Sequence, residues 1–345
     1  MSDLLSERRI AWTPSMSLNE RLNRWSQSCS SSSRYVVDEP LNRHSSLRIG
    51  GPAEHWIEVG NLDDLSTLLA ALADDDFHCV GLGSNTLFPD EGIKAPVIRL
   101  VDELASWAVR PGPDAGHATV EVMAGAINAH LVRGLLSEGW IGAEFLSLIP
   151  GTFGGAVALN AGTKDKELKA ILESVWLAFR DEQEKVWRVE QWPAQKLAIS
   201  YRHTALSPGT LVIGGCLSLE TGDVSSARGR IKADKMRRNR TQPYRLASVG
   251  STFANPDGDY AGRLIEEVGL KGQAIGGARI SSLHANFFIN DDDATAADFL
   301  SLMALARYRV RREFEIDLRP EVRFVGFDGR ARLRDLEQKL DDTDV

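Results

Sequence analysis

Between Arg48 and Gly162 the chain bares its backbone three times, and this recurrence constrains the fold more than any other feature of the sequence. The first cluster is Arg48-Ile49-Gly50-Gly51-Pro52-Ala53. The second is Gly81-Leu82-Gly83-Ser84-Asn85-Thr86. The third is Ile149-Pro150-Gly151-Thr152-Phe153-Gly154-Gly155-Ala156, followed by Asn160-Ala161-Gly162. Glycine lets a ligand approach the main chain closely, and successive N–H groups can then cradle a diphosphate. Any one cluster taken alone reads equally well as a turn. Three in one half of a chain point to a ligand long enough to touch several loops. The second cluster follows a strand-like run, yet it lacks the GxGxxG spacing and no helical pattern opens after it. An ordinary Rossmann site is therefore not expected.

Short apolar runs between these clusters predict strands at 56–59, 78–82, 97–100, 119–123, 174–179, 185–189 and 211–219. Helical spacing predicts a helix after Asn61 as N-cap, carrying Leu62, Leu65, Leu68, Leu69 and Leu72, and a second after Gly125, carrying Ile127, Leu131, Leu135 and Leu136. A third region opens near Asp223 with a basic helical stretch. It continues with a helix from Asp259 to Val268 stopped by Gly269, a strand at 284–290, a helix with Phe299, Met303, Ala306 and Val310 on one face, and strand-like runs at 315–318 and 321–327. The acidic run Asp291-Asp292-Asp293 is a candidate cap for that last helix, and Asp74-Asp75-Asp76 reads as a solvated loop end. The fold class expected is α+β. The run Ser26 to Ser33 is small and polar and offers nothing apolar to bury, so residues 1–36 read as a partly disordered extension, and removal of residues 1–33 is expected to leave activity intact.

The 345 residues suffice for two or three domains, and 43% hydrophobic with 26% charged residues permits a soluble core. A formal net charge of −8 argues against nucleic acid as a partner. No apolar stretch is long enough to span a bilayer and no secretory pattern opens the chain, so a cytoplasmic protein without membrane insertion is expected. Cys29, Cys79 and Cys216 follow no metal or redox spacing and read as reduced thiols, and no metal site is expected.

The order of the glycine clusters resembles the FAD-binding domain of the vanillyl-alcohol-oxidase-like flavoproteins, the PCMH-type fold. The third region narrows the resemblance. Ser200-Tyr201-Arg202-His203, Gln242-Pro243, Gly250-Ser251-Thr252-Phe253-Ala254-Asn255-Pro256, Ala261-Gly262-Arg263-Leu264-Ile265-Glu266, His284-Ala285-Asn286-Phe287 and Arg319-Pro320-Glu321-Val322 follow one another as in the UDP-N-acetylenolpyruvoylglucosamine reductases. The resemblance covers roughly residues 40 to 327, and the short connection between Arg202 and Ser251 is similar to the family's shorter form, without an inserted substrate-covering tyrosine. The chain departs from the family pattern at Leu82, at Leu283 and at Thr163-Lys164-Asp165.

The resemblance implies two FAD-gripping subdomains, 37–101 and 102–219, and a C-terminal α+β substrate domain, 220–328; beyond it the chain reads as a tail, 329–345, with a short amphipathic stretch carrying Leu333, Leu336 and Leu340 and then acidic residues. It implies FAD held without a covalent link, since neither His130 nor Cys79 lies in an attachment motif, and NADPH as hydride donor. The substrate implied is UDP-N-acetylglucosamine enolpyruvate, reduced in peptidoglycan precursor synthesis by a monomer. Carried over residue by residue, Arg202 and Glu321 stabilise developing charge and Ser251 protonates carbon. FAD contacts fall on Arg48, Gly50, Gly51, Gly81, Gly83, Ser84, Asn85, Thr86, Ala124, Gly125, Pro150, Gly151, Thr152, Gly154, Gly155, Ala156, Asn160 and Gly162. Substrate contacts fall on Tyr201, Asn255 and His284; Tyr201 and His284 read equally well as core residues. Arg240, Arg245 and Arg263 are candidates for the UDP phosphates or solvated surface arginines. Two rivals stand beside this reading: another FAD-dependent oxidoreductase of the same superfamily, and an inactive FAD- or nucleotide-binding protein.

Overall fold

The computed structural model describes residues 16–114, 116–181 and 186–343. Its contacts divide them into two compact units interleaved along the chain. One gathers the chain up to Val37, His55–Gly81 and Ala95–Asp234; the other gathers Asp38–Glu54, Leu82–Lys94 and the chain from Lys235 onward. The division differs from the boundary expected at residue 101. Within the first unit, Ile98, Leu100 and Leu104 share one core with Val120, Val122 and Leu217.

The first unit holds two sheets. Strands β1 (Arg34–Pro40), β2 (Pro52–Val59), β5 (Val97–Leu100) and β3 (His78–Cys79) lie in the order β1-β2-β5-β3. β5 runs parallel to both β2 and β3, with Trp56 opposite Val97. The helix α2 (Leu62–Leu72) connects β2 to β3, and Asn61 caps it by accepting the Asp64 N–H at 2.8 Å, as its position in the sequence predicts. The second sheet is antiparallel, in the order β10 (Val186–Pro193), β9 (Leu172–Asp181), β13 (Leu211–Thr221), β7 (His117–Met123) and β6 (Trp107–Pro111), with β8 (Trp140–Ile141) on one end of β13. The helix α3 (Asn128–Ser137) buries Leu131, Leu135 and Leu136, the face its spacing predicts. The strand expected from Lys185 is described from Val186, because Lys185 lies outside the described residues.

Residues 16–36 are not the loose extension expected; the stretch before them lies outside the described residues. Helix α1 (Leu18–Ser28) opens with a capping box, Ser17 with Glu20, and buries Leu22 and Trp25. Trp25 Nε1 donates to Asp64 O and Thr67 Oγ1 of α2, both at 3.1 Å. The serine run offers nothing apolar to bury, but two of its hydroxyls are tied in as donors. Ser30 Oγ, Ser33 Oγ and Asn61 Nδ2 converge on the Asp64 carboxylate at 2.5, 2.7 and 2.8 Å. Burial works to raise the Asp64 carboxyl, and these donors outweigh it, holding its pKa below the ordinary value. The Asp74–Asp76 run is likewise not simply solvated, since Arg21 pairs with Asp75 and Arg180 with Asp74.

The second unit is built on β14 (Ala247–Ser251), β17 (Phe287–Asn290), β16 (Ala278–Ile280) and β15 (Ala274–Ile275), an antiparallel sheet in that order. Helices α6 (Ala261–Glu267) and α7 (Ala296–Phe314) complete its core, in which Phe253, Phe288 and Phe299 pack edge to face at 5.7 and 5.9 Å. The expected cap of α7 by Asp291–Asp293 is not the one formed. Thr295 and Asp298 make a capping box, and the Asp90 carboxylate accepts Ala296 N–H and Ala297 N–H at 2.7 and 3.1 Å. The run 315–318 is not a strand, because Glu315 takes φ 58 as the C-cap of α7. Only β18 (Arg323–Phe324) forms in the run 321–327, parallel to β4 (Thr86–Leu87). The expected acidic tail is helix α8 (Gly329–Thr343), whose Leu333 is buried and whose Glu337 takes Arg307 and Arg311 of α7. The basic stretch after Asp223 is helix α5 (Val224–Thr241), of which only Ala227 is buried.

Removing residues 1–33 is now expected to destabilise the protein. Trp25→Ala, which deletes a side chain 1% exposed, should cost about 3–5 kcal/mol in denaturant unfolding. A loss under about 1 kcal/mol would show that α1 contributes no packing.

Candidate functional site

In the first unit three stretches of bare backbone meet. Gly81 lies against Thr152, where a Cβ would stand 2.5 Å from Thr152 Oγ1. Only glycine admits that approach. The turn Ala124-Gly125-Ala126 after β7 is tied to the third cluster, Phe153 N–H donating to Ala126 O and Gly154 N–H to Ala124 O, both at 2.8 Å. Pro150, Gly151 and Thr152 lead into α4 (Phe153–Ala158), and Asn128 N–H donates to Gly151 O at 3.1 Å. The amides of Phe153 and Gly154 are thus spent inside the protein, which narrows the cradle expected from sequence. Gly155 is the exposed member, where an added Cβ would meet Thr152 Oγ1 no closer than 3.8 Å, and Ala156 is buried beside it. A lining of main chain, glycine and alanine fits the diphosphate of a flavin dinucleotide.

The rest of the glycine-rich backbone belongs to the second unit, because the chain passes between units at Gly81–Leu82. Ser46 N–H donates to Gly83 O at 3.2 Å, Gly51 N–H to Pro89 O at 2.9 Å, and Gly50 stands against Phe88. Arg48 is exposed and takes φ 57, a conformation that costs a non-glycine residue about 1–2 kcal/mol. Ser84, Asn85 and Thr86 continue into β4.

Arg202 stands at the tip of a hairpin in the first unit. Strands β11 (Ile199–Ser200) and β12 (His203–Thr204) pair with Ser200 opposite His203, leaving Tyr201 and Arg202 as a two-residue turn. Arg202 takes φ 55, left-handed like Arg48. Strain of this kind at an arginine is a mark of functional positions. Its guanidinium lies over the Tyr201 ring at 4.9 Å and 4.0 Å from Glu167 Oε1. Tyr201 is 43% exposed, so the alternative of a core tyrosine falls.

Ser251 and Glu321 come together on adjoining segments of the second unit. β14 carries one extra residue against β17 between Ser248 and Ser251, and Gly250 within that bulge takes φ 78. A bulge re-aims the side chain that follows it. Thr252 O then accepts Glu321 N–H at 2.9 Å, and Phe253 bridges to Pro320. From the other side Asn85 Nδ2 donates to Glu321 O at 3.0 Å, and Asn85 O accepts Arg323 N–H at 2.9 Å. Asn85 was read only as a cofactor residue. The structure makes it the link between the second glycine cluster and Glu321.

The binding candidates divide. Asn255 Oδ1 accepts Ala261 N–H at 3.1 Å at the start of α6, which fixes the loop after Ser251. His284 is half-buried; its Nδ1 accepts Asn286 N–H at 3.2 Å and its ring packs on Phe287 at 4.9 Å. An accepting Nδ1 belongs to the neutral tautomer that carries its proton on Nε2. Arg263 closes on Asp259 and holds that carboxyl down at about 2, so its fork is engaged within the protein. Glu167, seven positions beyond Asn160, escaped the sequence reading. It lies just past the segment where the chain departs from the family pattern, and only its neighbours in space mark it.

Residues 53–181 match the FAD binding domain, and residues 242–325 match the C-terminal domain of UDP-N-acetylenolpyruvoylglucosamine reductase. Fold and matched domain together define a flavoprotein oxidoreductase. The reductase of Methylococcus capsulatus is 41% identical over 85% of this chain and 93% of its own length, and that of Anaeromyxobacter dehalogenans is 41% identical over 85% and 86%. The crystal structure of UDP-N-acetylenolpyruvylglucosamine reductase from Thermus caldophilus superimposes with a TM-score of 0.68 at 33% identity, covering 85% of this chain and 98% of that one. The chain belongs to the UDP-N-acetylenolpyruvoylglucosamine reductase family.

Burial, with Lys271 adding to it against an opposing Glu266, pushes the His284 pKa below its ordinary value. The unfolded chain therefore binds this proton more tightly than the native one. His284's contribution to stability is whole above about pH 6.5 and is lost as pH falls through the lower native pKa. Stability of the wild type measured from pH 8 to 5 should fall through that window more steeply than that of His284→Gln. Parallel curves would refute the neutral assignment.

Proposed function

We propose that this chain reduces the enolpyruvyl group of UDP-N-acetylglucosamine enolpyruvate to the lactyl ether of UDP-N-acetylmuramate, a peptidoglycan precursor, with NADPH as donor and with Arg202, Ser251 and Glu321 as the catalytic residues. The observation that supports the reading is the main-chain bonding at Thr252, which joins the segment that carries Ser251 to the segment that carries Glu321 in the second unit. FAD, held without a covalent link, would supply the hydride chemistry between NADPH and the outer carbon of the enolpyruvyl alkene. The glycine backbone at Gly81, Gly83, Gly151 and Gly155, with Ala124, Gly125 and Ala156, holds the dinucleotide.

After hydride delivery, negative charge builds on the carbon that bears the ether oxygen and on its carboxylate. Arg202 meets that charge with a permanent cation whose planar fork matches a carboxylate. Glu321 helps there as a hydrogen-bond donor, which requires that it hold a proton. Ser251 delivers a proton to the carbon. Tyr201, Asn255 and His284 are assigned to the substrate, Tyr201 through its exposed ring and His284 through its Nε2–H. Among the described residues no helix is long and apolar enough to cross a membrane, and soluble nucleotide substrates support a cytoplasmic location.

Anaerobic addition of NADPH to the yellow protein should bleach it, and the enolpyruvyl UDP-sugar should restore the colour. Failure of the second step would refute the substrate. Ser251→Ala should keep the first step and slow the second by about 10²–10⁴-fold, with partial recovery in Ser251→Cys. Equal slowing of both steps would remove Ser251 from the proton transfer. Arg202→Lys should bind the sugar and reoxidise slowly, since lysine lacks the fork.

A further inference from the structure

We infer that Asn160 and Glu167 are positioning residues that set the Arg202 guanidinium for the reaction, an inference that rests on the role proposed for Arg202. The hairpin that carries Arg202 has two residues in each strand, and a pair of that size does not hold itself in water. Its tip also adopts an unfavourable conformation, with Arg202 at φ 55. Such a turn keeps one geometry only where its surroundings impose it.

Asn160 and Glu167 impose it. Asn160 is 1% exposed and is itself left-handed, at φ 41. Its Nδ2 donates to Ser200 O and to Glu167 Oε2, each at 3.0 Å, and its Oδ1 accepts Lys169 N–H at 3.0 Å. Both amide hydrogens and the carbonyl are used in this way, so the side chain expected to contact FAD is committed to the hairpin. Glu167 in turn places Oε1 4.0 Å from Arg202 Nη1, while Lys169 Nζ holds Oε2 at 3.1 Å. Gly162, also expected at the cofactor, lets Glu167 in: a Cβ at 162 would stand 2.7 Å from Glu167 Cγ. On the far strand Thr204 Oγ1 donates to Val157 O of α4 at 2.6 Å. The arginine is thereby carried on a frame of buried polar bonds rather than on a free loop.

The decisive measurement is the rate of each half-reaction in Glu167→Gln, Arg202→Lys and the double variant, with FAD content and thermal stability recorded alongside. Glu167→Gln keeps the shape and removes the charge. It should leave flavin reduction by NADPH near the wild-type rate and slow reoxidation by the enolpyruvyl UDP-sugar about 10–100-fold, the scale of a small misplacement. The double variant should be no slower than Arg202→Lys alone, because both changes act on one guanidinium. Asn160→Asp, which turns a donor into a second carboxylate beside Glu167, should show the same selective loss. The inference is overturned if Glu167→Gln slows both half-reactions alike, if its loss multiplies in full with that of Arg202→Lys, or if neither Glu167→Gln nor Asn160→Asp slows reoxidation. If Arg202→Lys alone reoxidises at the wild-type rate, the role of Arg202 itself is withdrawn, a result distinct from the other three.

Discussion

The loops that carry Arg202, Ser251 and Glu321 are held by side-chain amides, and the rest of the arrangement depends on this. A primary amide carries the same donor and acceptor as a peptide group, so it can stand in for a missing strand. Asn286 takes both main-chain groups of Phe253, accepting its N–H at 3.0 Å and donating to its carbonyl at 2.8 Å. Asn160 does the same between Ser200 and Lys169, and Asn85 bonds the carbonyl of Glu321. A buried main-chain group left without a partner costs about 1–3 kcal/mol. Each amide therefore makes one loop geometry much better than its alternatives. It does so without a sheet that would cover the site.

The two units are interleaved along the chain. The second glycine cluster is split between them, with Gly81 in one and Gly83 in the other. The strand that continues this cluster, β4, pairs with β18 immediately after Glu321. Within the second unit the backbone of this cluster is thus tied, through Asn85, to Glu321. Covalent order alone places these groups 236 positions apart.

Much of the fold was legible because apolar periodicity reports burial directly. The helix after Asn61, the helix carrying Leu131 and Leu135, and the strand at 97–100 follow from spacing and one capping residue. The failures share a cause. The serine run near Ser30 was misjudged because its burial is polar, through Asp64, and no hydropathy pattern records a hydroxyl that fills a carboxylate's lone pairs. The cap of α7 was misjudged because the effective carboxylate, Asp90, is remote in sequence. The run 315–318 alternates like a strand, yet it has no strand to pair with once α7 has ended at Glu315.

The sequence by itself determined the family and the cofactor, since these reside in residue identities arranged in order: the glycine clusters and the motifs around Arg202, Ser251 and Glu321. Only the tertiary structure decided how those residues are held. It bonds the Asn160 side chain to Ser200 and Glu167, gives Asn85 a bond to Glu321, and brings Glu167 within 4.0 Å of Arg202. The physical reason is that a side chain's identity states which bonds it can make, whereas its partners are chosen by long-range packing. A one-dimensional pattern records the first and carries no information about the second.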